Sequence, residues 1–80
     1  MQVVRVKPNW ENYYKLCRDG LSSTSIRVAE DAFYDFLNLI FNATDEQVQF
    51  MKNDPLFPEE FAEALEFQER ENRWRAQTAE

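Results

Sequence analysis

The most regular pattern of hydrophobic positions lies in the middle of the chain. Apolar side chains recur there every three or four residues, at Ile26, Ala29, Phe33, Phe36, Leu37, Ile40 and Phe41. This spacing places them along one face of an α-helix, and three further apolar residues widen that face. The pattern predicts a central helix that supplies most of the core. Ser22 is predicted to cap its start, with Leu21 and Ile26 in contact across the cap.

A shorter helix is predicted ahead of this one. Asn9 is suited to cap a helix over residues 10–18, and Gly20 lies where a helix end favours a left-handed residue. The predicted inner face holds Trp10, Tyr13, Tyr14 and Cys17. Residues 1–7 alternate partly between apolar and basic side chains before a proline, which predicts one short N-terminal β-strand.

The second half of the chain predicts two further helices. Thr44 with Gln47 three residues later is a capping-box signature, and it predicts a short helix ending near Asn53. Val48 and Met51 are predicted to face inward on it. A proline-rich connection follows, and Pro58 suits the first position of the last helix. The inner face of that helix is predicted to hold Phe61, Ala64, Leu65 and Gln68.

These elements predict an all-α fold, a small bundle of three to four helices. The 80 residues leave room for one domain, 1–80, and the 44% of hydrophobic residues are too many for a disordered chain. Apolar residues thin out after Phe67, so residues 68–80 are predicted to form a projecting or frayed helical tail. Domains of this size often need a second subunit, so a homodimer is one expectation.

The charge is distributed unevenly, and this argues against nucleic acid as a direct partner. Residues 1–40 carry five basic and five acidic side chains, whereas residues 41–80 carry four basic and ten acidic ones. Phosphates would be repelled by the second half. The longest apolar run is too short to cross a bilayer, so no membrane contact is expected. One cysteine and no recognisable signal peptide favour a cytoplasmic location.

Catalytic residues, cofactors and metals are not expected. The chain has no histidine, which removes the commonest general acid and base, and Cys17 is predicted to be a buried, inert thiol. The spacing of Glu59, Glu60 and Glu63 locally resembles the acidic motif of helical nucleotide pyrophosphohydrolases of the MazG type, which implies a Mg²⁺ site. That family requires a second acidic pair on a following helix, so an ordinary acidic helix start is the favoured interpretation.

Two features of the last helix are candidates for binding a partner. Trp74, flanked by arginines, is an interface anchor, a side chain that folds back to cover the edge of the core, or part of a helix end that frays. The acidic face of the same helix is either a solvated surface or a mimic of DNA phosphates that occupies a basic groove. The predicted partner-binding residues are Glu59, Glu63, Glu66, Arg70, Arg73 and Trp74.

The functional prediction is therefore a non-enzymatic protein-binding module that acts as an inhibitor or adaptor. In its small size, acidity and aromatic content the chain resembles, in general character, phage-encoded proteins that bind and inhibit host enzymes or defence complexes. That resemblance implies a host protein as partner and the host cytoplasm as location. A structural or assembly-chaperone protein of a phage particle is the alternative, and an acid-dependent metalloenzyme is the third hypothesis.

Overall fold

The protein is an all-α bundle, as predicted. In a computed structural model, which describes residues 6–78, the chain forms four α-helices and one short 3₁₀ helix. These are α1 (Pro8–Gly20), α2 (Ile26–Phe41), α3 (Asp45–Lys52), the 3₁₀ helix Glu59–Phe61 and α4 (Ala62–Thr78). Residues 6–78 contain no strand, and most of the strand predicted over residues 1–7 lies outside the described part of the chain.

The core is formed where α2 lies between α1 and α4. Its buried members are Tyr14, Cys17, Phe36, Leu39, Ile40, Ala43, Val48, Met51, Phe61 and Leu65. Helix α1 runs antiparallel to α2, because Gly20 faces Ala32 and the Tyr14 ring lies 5.7 Å from that of Phe36. Helix α4 runs in the same direction as α2, since Phe33 lies beside Phe61 and Phe41 lies beside Phe67. Helix α3 and the connection after it return the chain to the level of Phe33.

Three of the predicted helix starts differ from the structure. Helix α1 begins at Pro8 with Lys7 as its N-cap, so Asn9 already lies inside the helix. Proline is well suited to this first position because its fixed φ is helical and it has no N–H to leave unpaired. Helix α2 is capped by Ser25, whose hydroxyl accepts the backbone N–H of Val28, and not by Ser22. Pro58 is the N-cap of the 3₁₀ helix, one position before the predicted one.

The capping box at α3 is confirmed. The Thr44 hydroxyl accepts the backbone N–H of Gln47, and the Gln47 side chain accepts the backbone N–H of Thr44. The helix ends at Lys52, and Asn53 is its C-cap. Val48 and Met51 are buried as predicted.

The glycine at the end of α1 has a different role from the predicted one. Gly20 is the last residue of the helix, and no residue in the described range has a left-handed backbone. A Cβ at this position would lie 2.9 Å from the Cβ of Ala32. Glycine therefore allows α1 and α2 to approach each other closely.

The buried faces of α1 and α2 are narrower than predicted. On α2 the buried row consists of Ala32, Phe36, Leu39 and Ile40, whereas Phe33 and Phe41 are exposed and Ile26 is 83% exposed. Ile26 therefore cannot pack against Leu21 as predicted. Tyr13 on α1 is likewise exposed. The helical spacing predicts a stripe, but the positions of the neighbouring helices decide which part of that stripe is covered.

A partly buried polar cluster joins α1 to the connection between α3 and α4. The Tyr14 hydroxyl and Arg18 Nη1 both donate to Asp54 Oδ2, at 2.6 and 2.7 Å. The backbone N–H of Leu56 donates to the other carboxylate oxygen at 3.0 Å. Burial is the largest single influence on the pKa of Asp54 and raises it, but these three donors together outweigh burial and lower the pKa.

Helix α4 is attached to α3 by polar contacts beyond its apolar segment. The carboxylate of Glu69 accepts hydrogen bonds from Lys52 and Gln49, at 2.7 and 3.0 Å. The buried Gln68 side chain donates to Asn72, which in turn donates to the backbone carbonyl of Ala43 at 3.1 Å. Helix α4 continues through Thr78.

Candidate protein-binding surface

The most prominent surface feature is a group of exposed aromatic side chains along the junction of α2 and α4 and on the part of α4 beyond it. Each is between 43% and 62% exposed, and together we call them the aromatic seam: Phe33, Tyr34, Phe41, Phe67 and Trp74. Isolated exposed apolar residues are ordinary on protein surfaces, but a contiguous set is not. The seam is therefore the first candidate for a contact surface.

Ring contacts hold the seam in place on the core. Phe33 lies 5.2 Å from the buried ring of Phe61 and makes an edge contact with Tyr34 at 5.7 Å. Phe41 makes a second edge contact, with Phe67 of α4, at 6.3 Å between ring centroids. Such edge-to-face pairs are favourable aromatic geometries. These contacts orient four of the five seam rings before any partner binds.

Helical spacing explains how the sequence brings these residues together. Phe33 and Phe41 are two turns apart on α2, and Phe67 and Trp74 are two turns apart on α4. Because the two helices run in the same direction and Phe67 lies against the last residue of α2, Phe41, Trp74 lies on α4 beyond the end of α2. Trp74 also lines a shallow surface hollow with Phe67, Arg70 and Glu71.

The six predicted binding residues all lie exposed on the 3₁₀ helix and α4. They form what we call the α4 strip: Glu59, Glu63, Glu66, Arg70, Arg73 and Trp74. The residues from Glu63 to Arg73 follow one another at intervals of three or four, on the side opposite the buried Leu65 and Gln68. The structure therefore brings the predicted acidic face and the tryptophan tail onto one surface, which meets the aromatic seam at Trp74.

Charge changes sign along the α4 strip. Its first three residues are glutamates and the next two are arginines. This order also follows the helix dipole, which favours negative side chains near the start of a helix and positive ones near its end. One helix thus carries an acidic half and a basic half on the same exposed side.

The sequence offers two further candidates for chemistry, the thiol of Cys17 and the glutamates at the start of the last helix. Cys17 is 6% exposed, and burial raises the pKa of its thiol. Within residues 6–78, no group of three or more histidine, cysteine, aspartate or glutamate residues is arranged to hold a metal ion. Glu60 and Glu63 are both exposed. In the same range, no helix is long and apolar enough to cross a membrane.

No family model matches the sequence, and no curated protein or solved structure is similar to it. The chemistry and geometry of the chain's own residues therefore carry the functional inference.

The α2 part of the aromatic seam is the feature that sequence reasoning missed. The helical spacing predicts Phe33 and Phe41 to be core residues, and Tyr34 is one of the three further apolar residues that widen the predicted face. A usable signal was present, because apolar residues surround much of α2. An 80-residue bundle has too few neighbouring helices to cover a helix on that many sides.

Proposed function

We propose that this chain is a non-enzymatic protein-binding module and that the aromatic seam is its contact surface. The observation that carries the proposal is the alignment of five exposed aromatic side chains on two adjoining helices. Apolar patches rimmed by polar residues mark interaction sites, and tryptophan, tyrosine and arginine are enriched among the residues that dominate binding energy.

Pre-organisation supports the same proposal. The Phe33 and Phe41 rings are already fixed by contacts with Phe61 and Phe67, so less side-chain entropy is lost on association. Helices α2 and α4 rest on a common core, which keeps the spacing of the rings constant. A central aromatic anchor of this kind contributes about 2 kcal/mol or more to a complex.

Charge favours a protein over a nucleic acid as the partner. Aromatic rings also stack on nucleic-acid bases, but such sites sit in positively charged grooves that follow the phosphates. Glu63, Glu66 and Glu71 are located on the same stretch of α4 as Phe67, and the chain carries a net charge of −6. Arg70 and Arg73 lie near Trp74, but the net charge of the chain is negative, and this balance disfavours a phosphate backbone as the partner.

The finer form of the proposal is an inhibitor or adaptor of the phage-encoded kind that acts on a host protein. Three exposed carboxylates on one side, those of Glu59, Glu63 and Glu66, support a partner with a basic groove, where they would take the place of DNA phosphates. In this form the aromatic seam supplies affinity and the carboxylates supply selectivity.

Affinity capture with matched variants tests the seam. The seam variant Tyr34→Ser/Phe41→Ser removes two exposed α2 rings, and the control Tyr13→Ser/Leu16→Ser removes two exposed apolar side chains from α1. We expect the wild type and the control to bind one saturable partner and the seam variant to bind it at least about tenfold more weakly. Equal binding by all three proteins would refute the seam as the contact surface.

Competition with DNA tests the finer form. If the acidic residues imitate phosphates, duplex DNA should displace the chain from its partner, and Glu59→Gln/Glu63→Gln/Glu66→Gln should weaken the complex. A complex that is insensitive to both DNA and the triple substitution would remove the mimicry hypothesis while leaving the aromatic seam in place.

A further inference from the structure

The four charges that the α4 strip carries on α4 itself are self-complementary in their order, whereas Glu59 lies before that helix and has no basic counterpart. Glu63 and Arg73 lie five residues on either side of Gln68, and Glu66 and Arg70 lie two residues on either side of it. Reversing the direction of the helix therefore exchanges acidic and basic positions. A surface with this symmetry matches a second copy of itself.

Helix direction decides whether that match is attractive. Two copies of α4 can pack antiparallel through their exposed sides, about a twofold axis that crosses the helices at the level of Gln68. Glu63 then approaches the partner's Arg73, and Glu66 approaches the partner's Arg70. A parallel, in-register pairing would place glutamate against glutamate and arginine against arginine. Charge thus favours the antiparallel pairing and opposes the parallel one.

Apolar side chains beside the charges supply the driving force for association. Exposed ion pairs contribute at most about 1 kcal/mol each, so charge alone would not hold two copies together. Phe67 and Trp74 are 51% and 62% exposed on the flank of the same strip. Burial of these rings provides affinity, while the charge order fixes orientation.

We propose that the partner of the α4 strip is a second copy of this chain, bound antiparallel in a twofold-symmetric dimer. The inference rests on the proposed function, since it assigns a partner to the α4 side of the proposed binding surface. In this dimer Glu63 and Glu66 face the second copy, so the dimer is an alternative to the DNA-mimic form of the proposed function. Tyr34 and Phe41 on α2 remain for a different protein. A twofold interface uses the same patch on both copies, which is the arrangement that a self-complementary strip allows.

The size of the surface is compatible with such a dimer. A standard specific interface buries about 800 Å² from each partner. The accessible surface of one copy is 6231 Å², so the dimer requires a modest part of it.

Sedimentation equilibrium of charge-swapped variants tests the dimer. Variant one, Glu63→Arg/Glu66→Arg, makes the four charged positions of the strip on α4 itself all basic. Variant two, Arg70→Glu/Arg73→Glu, makes the same four positions all acidic. We expect the wild type to dimerise, and each variant alone to dimerise at least about tenfold more weakly because like charges meet. An equimolar mixture of the two variants should dimerise again, as should the fourfold swap in one chain.

The control moves the same type of charge elsewhere. Glu30→Arg/Asp31→Arg changes two exposed acidic residues on α2, and it should leave the dimer constant within about twofold of the wild type. Circular dichroism of each variant confirms that it is folded.

Three outcomes would overturn the inference. These are a wild type that stays monomeric up to millimolar concentration, a dimer that both swapped variants form as well as the wild type, or a mixture that fails to restore association. The test is separate from that of the proposed function, because capture of another protein depends on Tyr34 and Phe41. A wild type that stays monomeric while the seam variant still loses its captured partner refutes only the inference. A wild type that dimerises while the seam variant captures the partner as well as the wild type does refutes only the contact surface on α2.

Discussion

The hydroxyl of Tyr14 donates a 2.6 Å hydrogen bond to the carboxylate of Asp54, 40 residues further along the chain. Arg18 reaches the same oxygen and also lies over the Tyr14 ring, 5.6 Å from its centroid. Asp54 thereby fixes the α3–α4 connection against α1. Because α4 follows that connection, the position of the candidate binding surface depends on a residue outside it.

Substitution of Asp54 should therefore destabilise the whole bundle. Asp54→Asn removes the ion pair with Arg18 and leaves a partly buried guanidinium without its counter-charge, so we expect a loss of about 2 kcal/mol in unfolding free energy. Urea denaturation followed by circular dichroism measures it. Asp19→Asn is the matched control: Asp19 pairs with Arg18 at 3.7 Å on the exposed surface, and its substitution should cost less than about 0.5 kcal/mol. Equal losses would contradict the assigned role of Asp54.

The Asp54 carboxylate should make the stability of the fold depend on pH in the acidic range. Its folded pKa is lowered from the ordinary value of 3.8, so its charge stabilises the fold fully above that value. The contribution disappears as the pH falls through the folded pKa. We expect the stability difference between the wild type and Asp54→Asn to be largest near neutral pH and to shrink below about pH 4. A difference that stays constant across this range would exclude ionised Asp54 as its source.

Adding a methyl group at Gly20 should destabilise the protein, although alanine is a better helix former than glycine. The new Cβ would lie 2.9 Å from that of Ala32, and both positions are held by helix backbone. Overpacking of this kind costs about 1–3 kcal/mol, which exceeds the helix propensity gained at a helix end. We expect Gly20→Ala to lower unfolding free energy by about 1 kcal/mol.

A double-mutant cycle identifies the cause. Ala32→Gly opens the space again, so Gly20→Ala should cost less in that background than in the wild type. Additive losses would show that the contact between these two positions is not responsible, and a stabilised single variant would refute the close approach itself.

The thiol of Cys17 should be inert in the folded protein. It is almost fully buried, and burial raises its pKa, which lowers the fraction of reactive thiolate. A colorimetric thiol reagent should label the native protein about 100-fold or more slowly than the protein in concentrated urea. Rapid labelling under native conditions would contradict this prediction and make Cys17 a candidate nucleophile.

Features determined by a few neighbouring residues were predictable from sequence. The capping box of Thr44 and Gln47 needs only four consecutive residues, and the buried faces of α3 and α4 follow directly from their spacing. The first residue of α2 was harder to predict, because four residues with hydroxyl side chains precede the helix and each of them could serve as its N-cap. In the structure Ser25 is the residue that caps the helix, and its hydroxyl accepts the backbone N–H of Val28.

Features that depend on distant contacts were not predictable in the same way. Asp54 looked like a loop residue, since nothing near it in sequence indicates Tyr14 or Arg18. Phe33 and Phe41 have the spacing of core residues, and their exposure follows from where α4 packs. The α4 strip could be assigned as a candidate because its charges and Trp74 lie on one helix, whereas the seam combines two.

The two tryptophans occupy different environments, and this gives the protein two separate optical signals. Trp10 is half-buried and stacks on Tyr14 at 5.4 Å, within the region held by Asp54. Trp74 lies on the exposed side of α4. Fluorescence of a Trp74→Phe variant therefore reports on unfolding of the α1 region, and fluorescence of a Trp10→Phe variant reports on whatever covers α4. Stability and association are thus measurable in solution without an added label.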